Sequence, residues 1–394
     1  MKKLVFSIAF FGLMLSGCTS SDDEGTTPPP TSGELRGDIT SDRTIAKGSY
    51  KLEGVIKIKS GVTLTFDAGS TITSDVSTGF DAILVENGGK LIMNGTAAEP
   101  IVCTNVVKSG GQWGGIIIYG DAPIVGSASA TSSNSEDGIT NSATTSGYTY
   151  GGSNPTHSSG SLKYVRVEYA GKKYADGTNE LNGFSFYAVG SGTVLENLVS
   201  YKGNDDGFEF YGGTVSATNL ISYGNADDSF DWQDGWRGEL NSNWYAYQVG
   251  VGNFGMEIEA KSVNNAFGPK VSNITLKRAA GTITEGGSSA AEYDAIQFKK
   301  QGNGEYTNIL ISGYTTSGAT AVRIQDAATN TDQVNSGKIK ILGVKINDGT
   351  SSFGGVPAIT VNFPLLNFVV NTTASGATLT PGAWSTVDGV NLLQ

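Results

Sequence analysis

The sequence predicts an all-β solenoid, a single-stranded parallel β-helix, on three observations. First, one segment is followed by a copy of itself. Asn197-Leu198-Val199-Ser200-Tyr201 returns as Asn219-Leu220-Ile221-Ser222-Tyr223, and Asp205-Asp206-Gly207-Phe208-Glu209-Phe210 returns as Asp227-Asp228-Ser229-Phe230-Asp231-Trp232, each position 22 residues on. A fixed period of that size marks a stacked repeat. Second, the rungs alternate apolar and polar, which means a strand with one buried face. The template extends upstream to Phe184-Ser185-Phe186. Downstream it extends to Met256-Glu257-Ile258, Ile296-Gln297-Phe298, Val322-Arg323-Ile324 and, more weakly, Ile359-Thr360-Val361. In register these form two inward files, Phe184, Phe208, Phe230, Met256, Ile296, Val322 and Phe186, Phe210, Trp232, Ile258, Phe298, Ile324. Third, Asn197, Asn219, Asn243, Asn273 and Asn308 each precede an apolar strand start. Asn is a common turn former, but stacked Asn side chains at a bend also bond to one another along the stack. Their unequal spacings require surplus residues to leave the coils as loops.

The chain opens with Lys2-Lys3, an apolar run from Leu4 to Leu15, and Ser16-Gly17 before Cys18. A charged start, a short apolar stretch and small residues at a cut site read as a signal peptide over 1–17. The run is too short for a comfortable membrane span. Leu15-Ser16-Gly17-Cys18 resembles a bacterial lipobox, which makes Cys18 the lipidated first residue and the lipid the only membrane attachment. Several acyl chains anchor stably, because each buried methylene adds about 0.8 kcal/mol. Residues 18–33 are Ser-, Thr-, Asp- and Pro-rich and read as a disordered tether. Their acidic start, Ser21-Asp22-Asp23-Glu24, resembles the export signal of surface lipoproteins in Bacteroidota. With Cys18 lipidated, Cys103 is left alone in the strand-like Ile101-Val102-Cys103-Thr104 and reads as a small buried apolar residue.

The β-helix domain is expected over 34–394. Val55–Ile58, Val62–Phe66, Ala82–Val85, Lys90–Met93 and Gly114–Ile118 read as the first coils with an N-terminal cap. Residues 121–160 are rich in Ser, Thr, Gly and Asn and read as a long polar surface loop carrying the single histidine, His157, facing solvent. Residues 364–394 lose the pattern and read as a last partial coil and a C-terminal cap. Several local motifs carry a family resemblance. They are Ser60-Gly61-Val62-Thr63-Leu64, Asn94-Gly95-Thr96-Ala97, Gly111-Gln112-Trp113-Gly114-Gly115, Glu180-Leu181-Asn182-Gly183, the Asp-Asp rungs, and Asp231-Trp232 through Gly238. The chain resembles the right-handed parallel β-helix surface lipoproteins of Bacteroidota and related bacteria, of pectin-lyase-like fold. The resemblance implies roughly a dozen right-handed coils, about 55 Å long, and a surface address, but no catalytic residues.

Composition agrees. Glycine, at 55 of 394 residues, is about twice the usual share, and charged residues make up 16%. No window shows a capped 3.6-residue apolar period, so no long helix is expected. The net charge of −11 excludes a nucleic-acid partner, since no Lys/Arg cluster offsets it. A single histidine excludes mechanisms built on a histidine dyad or a His-rich metal site.

The candidate site is the outward position between the two inward files: Ser185, Glu209, Asp231, Glu257, Gln297, Arg323. Three carboxylates fall on neighbouring rungs about 4.8 Å apart. Two such charges repel by about 0.9 kcal/mol in water and about 3.5 kcal/mol at an effective dielectric of 20. Asp205 and Asp206 stack likewise over Asp227 and Asp228. The offset is a Ca²⁺ ion held by Asp205, Asp206, Asp227, Asp228 and Glu257, or Arg237, or carboxyls that keep their protons. Trp232, Trp236, Trp244 and Tyr245 are candidates for stacking on sugar rings. The expected role is a binding or adhesion module of the outer-membrane surface, for glycan or a partner outer-membrane protein. The alternative is a polysaccharide lyase or glycoside hydrolase using Glu209, Asp231 and Arg237. A third possibility is a purely structural surface stalk.

Overall fold

The computed structural model describes residues 32–75, 80–173, 179–263, 268–285, 291–356 and 359–394. The expected signal peptide, Cys18 and all but the last two residues of the expected tether lie outside them. The chain winds into a right-handed parallel β-helix in which 24 strands join one continuous ladder. The first strand, Ser32–Ile39, begins two residues before the expected domain start and pairs in parallel with Ser49–Ile58.

One face carries eleven stacked rungs, from Asp38-Ile39 to Ser351–Gly355. Its register is the predicted one. Phe184, Phe208, Phe230, Met256, Ile296 and Val322 are direct neighbours in turn, as are Phe186, Phe210, Trp232, Ile258, Phe298 and Ile324. All are buried in the central core, where Phe184 and Phe208 stack at 4.9 Å and Phe208 and Phe230 at 5.7 Å. The stack ends differently from expectation. Phe353 follows Val322, whereas Ile359 and Val361 fold over the end of the core. Phe353, Phe363 and Phe368 close that end together, and Phe368–Val370 is the last partial coil.

The other two faces are formed by long strands bent once in the middle: Gly160–Glu168, Val194–Tyr201, Ala217–Tyr223, Asn241–Gln248, Lys270–Arg278, Gly304–Ser312 and Ile339–Ile346. Each bend is a residue in the left-handed region: Tyr164, Asn197, Asn219, Asn243, Asn273, Asn308 and Gly343. Asn and Gly tolerate that backbone best. The asparagine ladder is present. Asn219 donates to Asn197 at 3.0 Å, Asn243 to Asn219 at 3.1 Å and Asn308 to Asn273 at 2.7 Å.

Two segments depart from their sequence readings. Residues 121–160 are not a solvent loop. They form two small antiparallel ribbons whose Ile139, Tyr148 and Tyr150 pack on Leu84, Ile117, Tyr119, Tyr187 and Tyr211 of the first face. The reason is that the outward positions there are apolar or aromatic and need a cover. His157 is half-buried rather than solvent-facing, and burial lowers its basicity. The C-terminal residues beyond the last partial coil are a strap rather than an end cap. They run back along the asparagine bends, with Ser375 N–H donating to Asn308 at 2.9 Å and Thr378 N–H to Asn243 at 3.4 Å. Trp384 then meets Tyr164 edge-on, Arg166 donates to the carbonyls of Ala383 and Thr386, and Tyr245 donates to Gln394. Cys103 is free and fully buried in the core, and burial raises its thiol pKa far above the usual range. Among the described residues the longest helical element is one or two turns, and no helix is long and apolar enough to cross a membrane.

The ladder gives a direct test. Asn219→Ala removes two side-chain hydrogen bonds and forces alanine to φ +59°. Urea denaturation should show a loss of about 2 kcal/mol. Asn219→Gly should lose less, because glycine keeps the bend without strain. Equal losses would mean that the bend contributes nothing.

Candidate functional site

The first face changes character along its length. In its outward second position the N-terminal rungs carry Leu84 and Ile117, and the middle rungs carry Glu209, Asp231 and Glu257. In the outward fourth position Tyr119, Tyr187 and Tyr211 stack in turn and are followed by Gln233. The alternation continues this file with Glu259 and Lys299, two residues beyond Glu257 and Gln297. The tyrosines lie under the inserted ribbons. Where they end, a cleft of about 520 Å³ opens.

Twelve carboxylates and four lysines line that cleft. The rungs supply Asp205, Asp206, Glu209, Asp227, Asp228, Asp231, Glu257, Glu259 and Lys299, and the loops add Glu136, Lys173, Glu180, Lys261, Glu285, Glu292 and Lys300. The predicted acid column is therefore real, but it is not open to solvent. Asp205, Asp206, Glu209, Asp228 and Asp231 are buried at the cleft floor.

The acids divide by what they hold. The second Asp of each pair ties one coil to the next: Asp206 accepts the backbone N–H of Asp228 at 2.8 Å, and Asp228 that of Phe254 at 2.6 Å. Asp294 does the same for Thr320 two coils later and also pairs in fork geometry with Arg323. These carboxylates are mortar between coils, consistent with Asp as a turn former. Glu209 is the centre of a network, accepting from Asn182 at 2.7 Å, Gln233 at 2.9 Å and the hydroxyl of Tyr211. Asp205 shares Lys173 with Asp227, each at 3.3 Å. Lys299 bridges Glu257 at 2.5 Å and Glu259 at 2.9 Å. Of the carboxylate oxygens lining the cleft, three are buried with no hydrogen-bond partner among the described residues: Asp205 Oδ2, Asp231 Oδ1 and Glu259 Oε2.

The electrostatics follow from this crowding. Burial, and then the neighbouring acids Asp228 and Asp227, push the carboxyl of Asp206 well up. Burial with Glu209 and Glu257 does the same to Asp231. Glu209 is pushed up to about 8, by burial first and then by Glu136, against the pull of its three donors. Burial alone would lower the ammonium pKa of Lys173 and Lys299, but the facing carboxylates hold both far above the ordinary range. Four lysines do not neutralise the cleft.

Three clusters place one oxygen from each member within 4.8 Å of the others: Asp205, Asp206 and Asp227; Asp206, Glu209 and Asp231; Asp228, Asp231 and Glu257. Opposite oxygens on a Ca²⁺ ion stand about 4.8 Å apart, at about 2.4 Å from the ion each. An all-oxygen donor set suits Ca²⁺, Mg²⁺ or Mn²⁺ rather than zinc or copper. The donor set therefore fits the predicted ion.

Two sets of expected site residues belong elsewhere. Arg237 does not enter the cleft. It follows the bend after Trp236 and lines a separate groove with Pro123, Pro155 and Leu240. The aromatics are buried, Trp232 by the alternation of its rung, Trp236 and Trp244 because they turn inward where the chain passes between faces, and Tyr245 by the strap. Trp232 lies in the second inward file, Trp236 stacks on Phe210 at 4.5 Å, and Trp244 packs on Phe230 at 4.8 Å. The indoles of Trp236 and Trp244 donate to backbone carbonyls, and Tyr245 is buried beneath the strap. None offers a sugar platform. Sequence reasoning missed the tyrosine file, Glu259 and Lys299, although period-2 alternation from the same rungs reaches all of them. Lys173, Glu136 and Glu285 carry no such signal.

No curated protein and no solved structure matches this chain. The family profile for the pectate-lyase-like β-helix domain matches residues 37–386, and with the in-register stack it places this chain in that family.

Proposed function

We propose that this β-helix is a surface binding module that holds divalent cations in its acidic cleft and through them binds an acidic glycan. A lipid on Cys18 would carry it on the outer face of an outer membrane, the 18–33 tether setting it off from the bilayer. The observation that carries the reading is the pair of buried oxygens without hydrogen-bond partners on Asp205 and Asp231, two residues that between them belong to all three carboxylate clusters. A buried carboxylate oxygen without a donor is costly, and a cation satisfies it. With cations bound, the cleft turns from repelling to attracting an anionic sugar. Bridging through the ion also suits a cleft to which Trp232, Trp236, Trp244 and Tyr245, all buried, offer no stacking face.

The chemistry favours binding over catalysis. Glu209 already accepts three hydrogen bonds on its two oxygens, which turn it toward Asn182, Tyr211 and Gln233 rather than toward a leaving group. Lys173 and Lys299 are held protonated, so neither is a ready base. Arg237 lies outside the cleft.

Thermal unfolding tests the cation. In EDTA the folded state keeps the Glu209 proton up to about pH 8, whereas the unfolded chain loses it near the ordinary value of 4.5. Between those values the folded state binds more protons, so stability must fall as pH rises through that window. Ca²⁺ at about a hundred times its dissociation constant should restore about 2.7 kcal/mol. Asp231→Asn should abolish much of the Ca²⁺ response while leaving the metal-free melting temperature at pH 8 equal or higher. A flat pH profile and no Ca²⁺ shift would sink the cation reading.

A glycan array run with Ca²⁺ and with EDTA tests the ligand. Acidic polysaccharides should bind only with Ca²⁺, neutral ones not at all, and product analysis should find no cleavage. Binding that survives EDTA would exclude bridging through the ion.

A further inference from the structure

Arg237 is the anomaly that the cleft leaves unexplained. It is half-buried, yet it makes no ion pair among the described residues. Burial alone lowers the pKa of its guanidinium, with no carboxylate acting on it. Every other feature of this acidic chain would favour pairing such a cation. Taking a guanidinium partly out of water without a partner costs stability, and an arginine is the side chain best shaped to grip a carboxylate in fork geometry.

The groove around it is built. Three successive coil turns form its floor, contributing Ser191, then Thr214 and Ser216, then Arg237, Glu239 and Leu240, and Pro123 and Pro155 of the inserted segment form its wall. The hydroxyls of Ser191 and Thr214 both donate to the carbonyl of Pro155, which fixes the wall to two coils. Gly213 N–H donates to Pro123 and Arg237 N–H to Gly213, each at 3.1 Å. Leu240 N–H donates to the Ser216 hydroxyl at 3.0 Å, holding a leucine whose residue surface is 80% exposed. The groove encloses about 610 Å³. That is the size of a small-molecule site, and its chemistry is apolar surface with one placed cation. The acid in it, Glu239, faces Lys270 at 3.9 Å.

We propose that this groove is a second ligand site, for a small amphipathic carboxylate. The carboxylate would pair with Arg237, and an apolar body would lie on Pro123, Pro155 and Leu240. Charge complementarity selects the anion, and the proline and leucine faces select the body. The site is independent of the acidic cleft and needs no metal.

The test titrates the purified chain in EDTA with phenylpropionate and decanoate, with their neutral amides, and with inorganic sulfate, followed by NMR. At least one carboxylate should bind saturably at millimolar concentration and shift the Arg237 side-chain resonance. Its amide and sulfate should each bind about tenfold more weakly. Arg237→Met should weaken the carboxylate by about tenfold while the ligand-free melting temperature holds or rises, which separates loss of the site from loss of the fold. Arg237→Lys should fall between. The proposal is overturned if no carboxylate binds, if the amide or sulfate binds as tightly, or if Arg237→Met binds like the parent chain. Because EDTA is present throughout, failure here leaves the cation-dependent glycan reading untouched, and the reverse holds too.

Discussion

A parallel stack held in register sets each residue on top of its equivalent in the next coil. That single constraint governs this molecule, because like on like has opposite consequences for different chemistry. Phe208 between Phe184 and Phe230 gains apolar contact on both sides. Asn219 between Asn197 and Asn243 donates to one and accepts from the other, satisfying its amide along the axis. Tyr187 between Tyr119 and Tyr211 stacks face to face. Asp231 between Glu209 and Glu257 can only be repelled. The acid file is thus the one column the architecture cannot stabilise by itself, and it lies where the cleft is.

The chain answers the repulsion in part. Lys173 bridges acids of two coils and Lys299 two acids of one, and Asp206 and Asp228 spend an oxygen on the backbone of the following coil. Inserting lysines from loops is a local remedy that leaves a surplus of negative charge. A fully structural role would be served better by apolar or amide residues, as Gln297 and Ser185 show one rung beyond and one rung before the acids. The acids are therefore costly where they stand, which is the usual mark of a site kept for a ligand.

How much of this was legible in the sequence follows from the same constraint. Alternation and register are properties of neighbouring residues, so the two inward files, the asparagine ladder and the acid file can all be read by aligning rungs such as Phe208-Glu209-Phe210 with Phe230-Asp231-Trp232. Direction at a bend is not such a property. Trp236, Trp244 and Arg237 sit where the chain leaves one face for the next, and nothing in their spacing says that the tryptophans turn inward and the arginine away from the acids. Lys173 and Glu136 reach the cleft on excursions whose path depends on what they cover. The strand-poor, polar composition of 121–160 hid Ile139, Tyr148 and Tyr150, which pack against the tyrosine file.

Repeat arrays of this kind are held by nearest-neighbour contacts alone and fray from either end. The returning C-terminal segment changes that, since Arg166 reaches Ala383 across 217 positions of chain and Gln394 reaches Tyr245 across 149. The coils can stack one upon another as they form, but this clasp closes only across coils that are already in register. Loss of the segment from Ser375 onward would therefore leave the stack standing with its seam unfastened, free to open from its ends again.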